Sequence, residues 1–202
     1  LDLQAHQFPG RSRAESASFL GTFDGGGRTI SHYKVSGASS GCGSYSIFGN
    51  LCGATVRDVT FSECEILLPS LAAANRNGSD LFASVLATQA YSATLERVHL
   101  VDCRVFADNT GGMGPTVVVL GGLIGMNFCA TAVSDCTVDV GFDYRGAPFW
   151  ANYTYISPLC ACGAGVSADG IVFSPSVEPW EDVKTPALRR APAGRAAVES
   201  RL

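Results

Sequence analysis

Apolar residues in this chain recur at a long fixed interval and not at a helical one. Three segments share a pattern: "CGATVRDVTFSECEI" (52–66), "YSATLERVHLVDCRV" (91–105) and "CATAVSDCTVDVGFD" (129–143), offset by 39 and then 38 residues. Their apolar residues fall in columns: Val56, Leu95 and Val133; then Val59, Val98 and Cys136; then Phe61, Leu100 and Val138. Cys64 and Cys103 share the next column, and Ile66 and Val105 the one after. Within a unit the spacing is two residues, then three, then two. Period two is a strand, and a step of three is a bend that keeps side chains pointing inward. Each unit follows a short apolar stretch: "SIFGNL" (46–51), "LFASVLA" (81–87) and "GGLIGMN" (121–127). Short strands, bends and a fixed repeat predict a solenoid, in which one coil buries its apolar face only against its neighbours.

The polar positions fit the same register. Arg57 matches Glu96, Asp58 matches Arg97 and then Asp135, and Glu65 matches Arg104. Rungs stack about 4.8 Å apart, so opposite charges in one column attract. Glu63 and Asp102 are the exception: two carboxylates share a column with no Arg. They are the weak candidates for a cation site or an acid/base pair, against the simpler reading of a solvated bend. Equal offsets also put Cys52 and Cys129 in one column with Tyr91 between them, too far apart to bridge.

The first coil is announced by "FLGTFDGGGRTI" (19–30). Phe19, Phe23 and Ile30 read as strand residues; Asp24 and Gly25 to Gly27 read as a turn capped by the Asp. A phosphate cradle would need a following helix, and "RTISHYKV" (28–35) alternates like a strand. Calcium at Asp24 is poorly supported, since one carboxylate is a small part of six to eight oxygens.

The expected layout is a lead-in or cap at 1–18, the repeat domain at 19–173 and a flexible tail or linker at 174–202. Segments 67–80, 106–116 and 144–158 read as loops that leave the coils.

The stretch "GTFDGGGRTI" resembles the signature that introduces GLUG-type repeats. "SIFGNLCGATVRDVTFSEC" and "GGLIGMNFCATAVSDCTV" resemble the repeat itself, over about residues 19–142. The unit at 81–105 has lost the glycines. The resemblance implies an all-β fold, a short right-handed parallel β-helix. It also implies a structural or adhesive module of bacterial or protist surface proteins, with no catalytic residues to carry over.

Composition narrows the setting. A charged fraction of 16% and 23 glycines do not suit a solvated helical bundle. A net charge of −4 favours no nucleic-acid partner. The longest apolar run, "TVVVLGGLIGM" (116–126), is too short and too broken by glycine for a membrane span. Eight cysteines without a CxxC pair, and sequons at Asn77 and Asn152, lean towards a secreted or cell-surface glycoprotein. Cys64 and Cys103 are the disulfide candidates, with stacked free thiols as the alternative. "CAC" (160–162) lacks a nearby His to complete a metal site.

For binding, the lead is the aromatic group Phe149, Trp150, Tyr153 and Tyr155, since aromatic rings stack on sugar faces and anchor protein interfaces. Capping of the open solenoid end is the rival reading. The expectation is a non-catalytic interaction module for a glycan or an extracellular protein, with no cofactor. The alternatives are a β-helix polysaccharide lyase or glycoside hydrolase, which would cluster carboxylates on one outer face, and an inert spacer.

Overall fold

The computed structural model describes residues 1–3, 7–9, 11–12, 18–36, 43–68, 81–109, 117–146, 153–173 and 188–190. Among them there is no helix. The strands form three sheets of ten, six and five strands.

The chain visits the three sheets in a fixed order, so they become the walls of a parallel β-solenoid. The third coil shows the rule. Leu81–Ser84 lies in the six-stranded first wall, Ala87–Tyr91 in the five-stranded second wall, and Thr94–Asn109 in the ten-stranded third wall. Coil two runs through Gly43–Tyr45, Asn50–Cys52, then Thr55–Ser62 and Glu65–Leu68. Coil four uses Val117–Gly121, Ile124–Asn127, then Thr131–Ser134 and Thr137–Gly146. Coil five uses Tyr153–Ser157, Cys160–Gly163, then Val166–Asp169 and Val172–Phe173. Coil one enters at Ser18–Phe19 in the second wall and continues through Thr22–Ser31 and Lys34–Ser36.

The apolar columns fix the stacking. Phe23, Val56, Leu95, Val133 and Ala168 pair in sequence along the third wall. So do Ile30, Phe61, Leu100, Val138 and Phe173. The middle members of both columns are essentially inaccessible to solvent and belong to one continuous core. Coils two to four are therefore the rigid part: each buries its apolar face on both sides, as stacked coils must.

The steps of three are bends made by residues with positive φ, and these too stack in columns. Gly26, Asp58, Arg97, Asp135 and Gly170 occupy one bend, His32, Glu63 and Asp102 the next. Gly53, Ser92 and Gly165 occupy the corner between the second and third walls. The bend lets one residue face outward without breaking the inward alternation on either side. For L residues this conformation costs roughly 1 kcal/mol each, which the flanking ladder hydrogen bonds must offset.

The opening stretch is a structural corner, as its residues suggest. Opposite coil two it carries three glycines, Gly25 to Gly27, where the partner strand has only Asp58. Gly26 donates its amide to Asp24 Oδ1 at 2.9 Å. A Cβ on Gly25 would lie 2.5 Å from the Asp58 carbonyl oxygen, so the backbones approach too closely for any side chain.

Several boundaries differ from those read in the sequence. The lead-in is part of the solenoid: Gln7–Pro9 pairs in parallel with Lys34–Ser36, and Asp2 bridges to Ser31. The strands run past the expected loop starts, to Leu68 and to Asn109. Within 144–158, both ends are strand, up to Gly146 and from Tyr153 onward. Of the expected tail, Leu188–Arg190 pairs in parallel with the Tyr153–Ser157 strand. No helix among the described residues is long and apolar enough to cross a membrane.

Candidate ligand-facing ridge

The corner between the second and third walls carries an exposed apolar column. Tyr91 pairs with Cys52 on coil two. The amide of Phe128 donates to the Ala90 carbonyl at 3.0 Å, which sets Phe128 above Tyr91. The registers Phe19 to Leu51 and Asn127 to Gly163 extend the column to Leu20 at one end and Ala164 at the other. The Tyr91 and Phe128 rings stack with centroids 4.7 Å apart and planes 4° apart. Phe128 is 48% exposed and Leu20 69%. Tyr91 donates its hydroxyl to Gln89 Oε1 at 3.3 Å, which fixes the ring. Ser92 and Thr94, both exposed, follow the ring on coil three. The result is a ring stack flanked by hydroxyls, carried on the rigid middle coils.

Equal offsets would put Cys129, not Phe128, in this column, and the structure corrects that. Coil four has three residues between Phe128 and Ala132, where coil three has two between Tyr91 and its partner Thr94. The extra residue shifts Cys129 off the column and onto the turn. Asn127 holds the longer turn. Its buried side chain donates to the carbonyls of Cys129 and Ala164, each at 2.6 Å, and accepts from Thr131 Oγ1 at 2.8 Å. Thr131 Oγ1 in turn accepts from the Ala93 amide at 3.2 Å. Coils two and three place apolar Leu51 and Ala90 where coil four places Asn127.

The third wall carries the charges, mostly paired between coils. Arg57 binds Asp24 at 2.8 Å, Arg97 binds Asp58 at 2.6 Å, and Lys34 binds Glu65 at 2.9 Å. The Arg97 hydrogen bond holds the Asp58 carboxyl below its usual range. The expected registers hold, yet the partners are not all the expected ones. Arg97 also binds its neighbour Glu96, so Glu96 serves Arg97 and Arg57 turns to coil one. Glu65 likewise takes Lys34, with Arg104 on its other side in the register.

Glu63 has a side-chain partner after all. His32 occupies the same bend on coil one, with Nε2 3.3 Å from Glu63 Oε2 and Nδ1 3.0 Å from Asp2 Oδ1. Asp102 sits on the next rung and donates its amide to Asp139 Oδ2 at 3.2 Å. Among the described residues no group of three or more His, Cys, Asp or Glu side chains is placed to hold a metal ion. Both Asp24 oxygens are engaged, one by Gly26 and one by Arg57.

Of the aromatic group read from the sequence, Phe149 and Trp150 lie outside the described residues, as do Asn77 and Asn152. Tyr153 and Tyr155 are in the first wall, paired with Val117 and Val119. Tyr155 shares its column with Val119 and Phe82, which are buried on the face opposite Leu81, Ala83, Val118 and Leu120. Tyr155 is half-buried, as is Tyr91, and the exposed phenylalanine among the described residues is Phe128, stacked on Tyr91. A turn-length difference one residue long is the sequence signal for it.

Cys64 and Cys103 face the core on adjacent rungs as free thiols. Burial pushes the Cys160 thiol up to about 12.

The fold defines a class, the parallel β-solenoids. Comparison goes no further: no family model, no curated protein and no solved structure matches the chain.

Proposed function

We propose that this protein is a non-catalytic interaction module that presents its ridge to a glycan, as part of a secreted or cell-surface protein. One observation carries the reading: a stacked ring pair, half-buried Tyr91 and exposed Phe128, fixed on the rigid middle coils. Pyranose rings present C–H faces to aromatic rings and hydroxyls to polar groups. The ridge offers both chemistries, with Ser92 and Thr94 next to the rings. The pairing of outer carboxylates with Arg, Lys and His supports a structural role for those charges. The resemblance of "GTFDGGGRTI" to GLUG-type surface repeats points the same way.

The test is retention of the purified chain on acidic and neutral polysaccharides and on matrix proteins, with and without calcium, while newly released sugar ends are recorded. Retention on a polysaccharide without product, abolished in Tyr91→Ala/Phe128→Ala, is the expected result. Retention on matrix protein alone would replace the glycan with a protein partner. Released sugar ends would replace the module with a polysaccharide-cleaving enzyme and turn attention to the Glu63, Asp102 and Asp139 side of the third wall.

A further inference from the structure

Cys64 and Cys103 occupy one column of the core on coils two and three. The register is fixed around them: Glu65 pairs with Arg104, and the Arg104 amide donates to the Cys64 carbonyl at 2.8 Å. The two side chains are 0% and 3% exposed. Cys64 Sγ lies 3.5 Å from the Ser62 carbonyl oxygen, and Cys103 Sγ lies 3.5 Å from that of Phe61, back on coil two. Neighbouring parallel strands stand about 4.8 Å apart, inside the Cα separation of roughly 4.4–6.8 Å that a disulfide spans.

The other described cysteines lack such a partner. Cys52 faces Tyr91, Cys160 pairs with Ile124, and Cys162 pairs with Met126. Cys136 lies against Val98, whose amide donates to its sulfur at 3.4 Å. Cys129 is on the coil-four turn. Each member of the Cys64–Cys103 pair also directly follows an exposed bend residue with positive φ, Glu63 or Asp102.

We infer that Cys64 and Cys103 form a thiol–disulfide latch that clamps coil two to coil three when a small-molecule disulfide oxidises it. The step balances as an exchange. The Cys64 thiolate attacks one sulfur of the small disulfide, making a mixed disulfide and expelling one small thiolate, which takes up a proton. The Cys103 thiolate then attacks Cys64 Sγ, closing the intramolecular bond and expelling the second. Two protein thiols are oxidised by two electrons, and one small disulfide becomes two small thiols. The neighbouring Cys103 thiol lowers the Cys64 thiol, which favours Cys64 as the first nucleophile. The neighbouring Cys64 and burial raise Cys103, which makes it the second thiol to react. The latch is independent of what the ridge binds.

The full chain is incubated with oxidised glutathione, quenched in acid, alkylated after unfolding and mapped by mass spectrometry. The expected product is one linked peptide pair holding Cys64 and Cys103, lighter by two hydrogens and restored by dithiothreitol. The oxidised protein should melt at a higher temperature than the reduced one, and Cys103→Ser should lose that difference. A second variant, with Cys52, Cys129, Cys160 and Cys162 replaced by Ser, should still form the link, so the result does not hinge on how Cys103→Ser folds. Full alkylation of Cys64 and Cys103 after oxidation, or links that join either of them to another cysteine, would overturn the latch.

Discussion

The corner between the second and third walls is built in two ways. On coils two and three it is short: Leu51 and Ala90 fill the core, and Gly53 and Ser92 turn the chain with positive φ. On coil four it is one residue longer, and a buried Asn127 holds it with three side-chain hydrogen bonds. The short corner is apolar inside and cheap to build. The long corner puts a polar group into the core column and satisfies it completely, which is the condition for burying one without a net penalty. The added residue is taken up after Phe128, which follows Asn127 directly and stays over Tyr91 as the register requires.

The strongest way to break this comparison is to remove the asparagine. Asn127→Ala leaves the Cys129 and Ala164 carbonyls without their donor and should cost about 3 kcal/mol in urea denaturation. Deleting Cys129 in that background returns the corner to the short form and should recover most of the loss; a further drop in the midpoint would show that the two corners are not interchangeable. Next in size, Phe128→Ala should lower stability by about 1 kcal/mol and remove retention on polysaccharide. Cys129→Ala is the sharpening control, because equal offsets would have put that residue on the ridge. Its retention should match the parent, and a loss as large as that of Phe128→Ala would refute the register given for coil four.

Ser92→Gly tests the short corner. Serine holds φ at 51° between glycines on coils two and five, so glycine should raise stability by about 1 kcal/mol, read as a higher Tm; an unchanged or lower Tm would mean that the serine is not strained there. The smallest effect belongs to Arg97→Gln. The Asp58–Arg97 pair is solvent-facing, and such screened pairs contribute little to stability. Asp58 titrates below its ordinary 3.8 in the folded chain. The pair's contribution is therefore complete above that ordinary value and lost as the pH falls through the folded one. Parent and variant should converge in acid and in concentrated salt; a gap that persists in both would point to packing by the arginine stem.

The third wall was largely legible in the sequence. Val56, Leu95 and Val133 had to align, because a slip of one residue would turn every inward side chain outward. The Asp58–Arg97 pair followed from the same register. The His32–Glu63 pair was within reach too, since "RTISHYKV" fits the template from Arg28 onward. The three glycines before it lengthen coil one, and offsets counted between the later coils do not reach back across them. The ridge was harder. Its register depends on a single added residue at a turn, and an apolar repeat scored at one fixed offset averages over such a change. The walls that carry "SIFGNL" and "LFASVLA" were hidden for a related reason. Their strands are three to five residues long, too short to display a period.

The charge pairs between coils have one more consequence. The apolar columns are nearly interchangeable: Phe23 could lie on Leu95 as readily as on Val56. If coil one skipped coil two and docked on coil three, Asp24 would meet Glu96 and Lys34 would meet Arg104. Both encounters set like charges on adjacent rungs, where opposite charges now sit. Repeat chains are prone to misassembly between similar units. The ladder works as a numbering system: it tells an emerging coil which of its look-alike neighbours comes next.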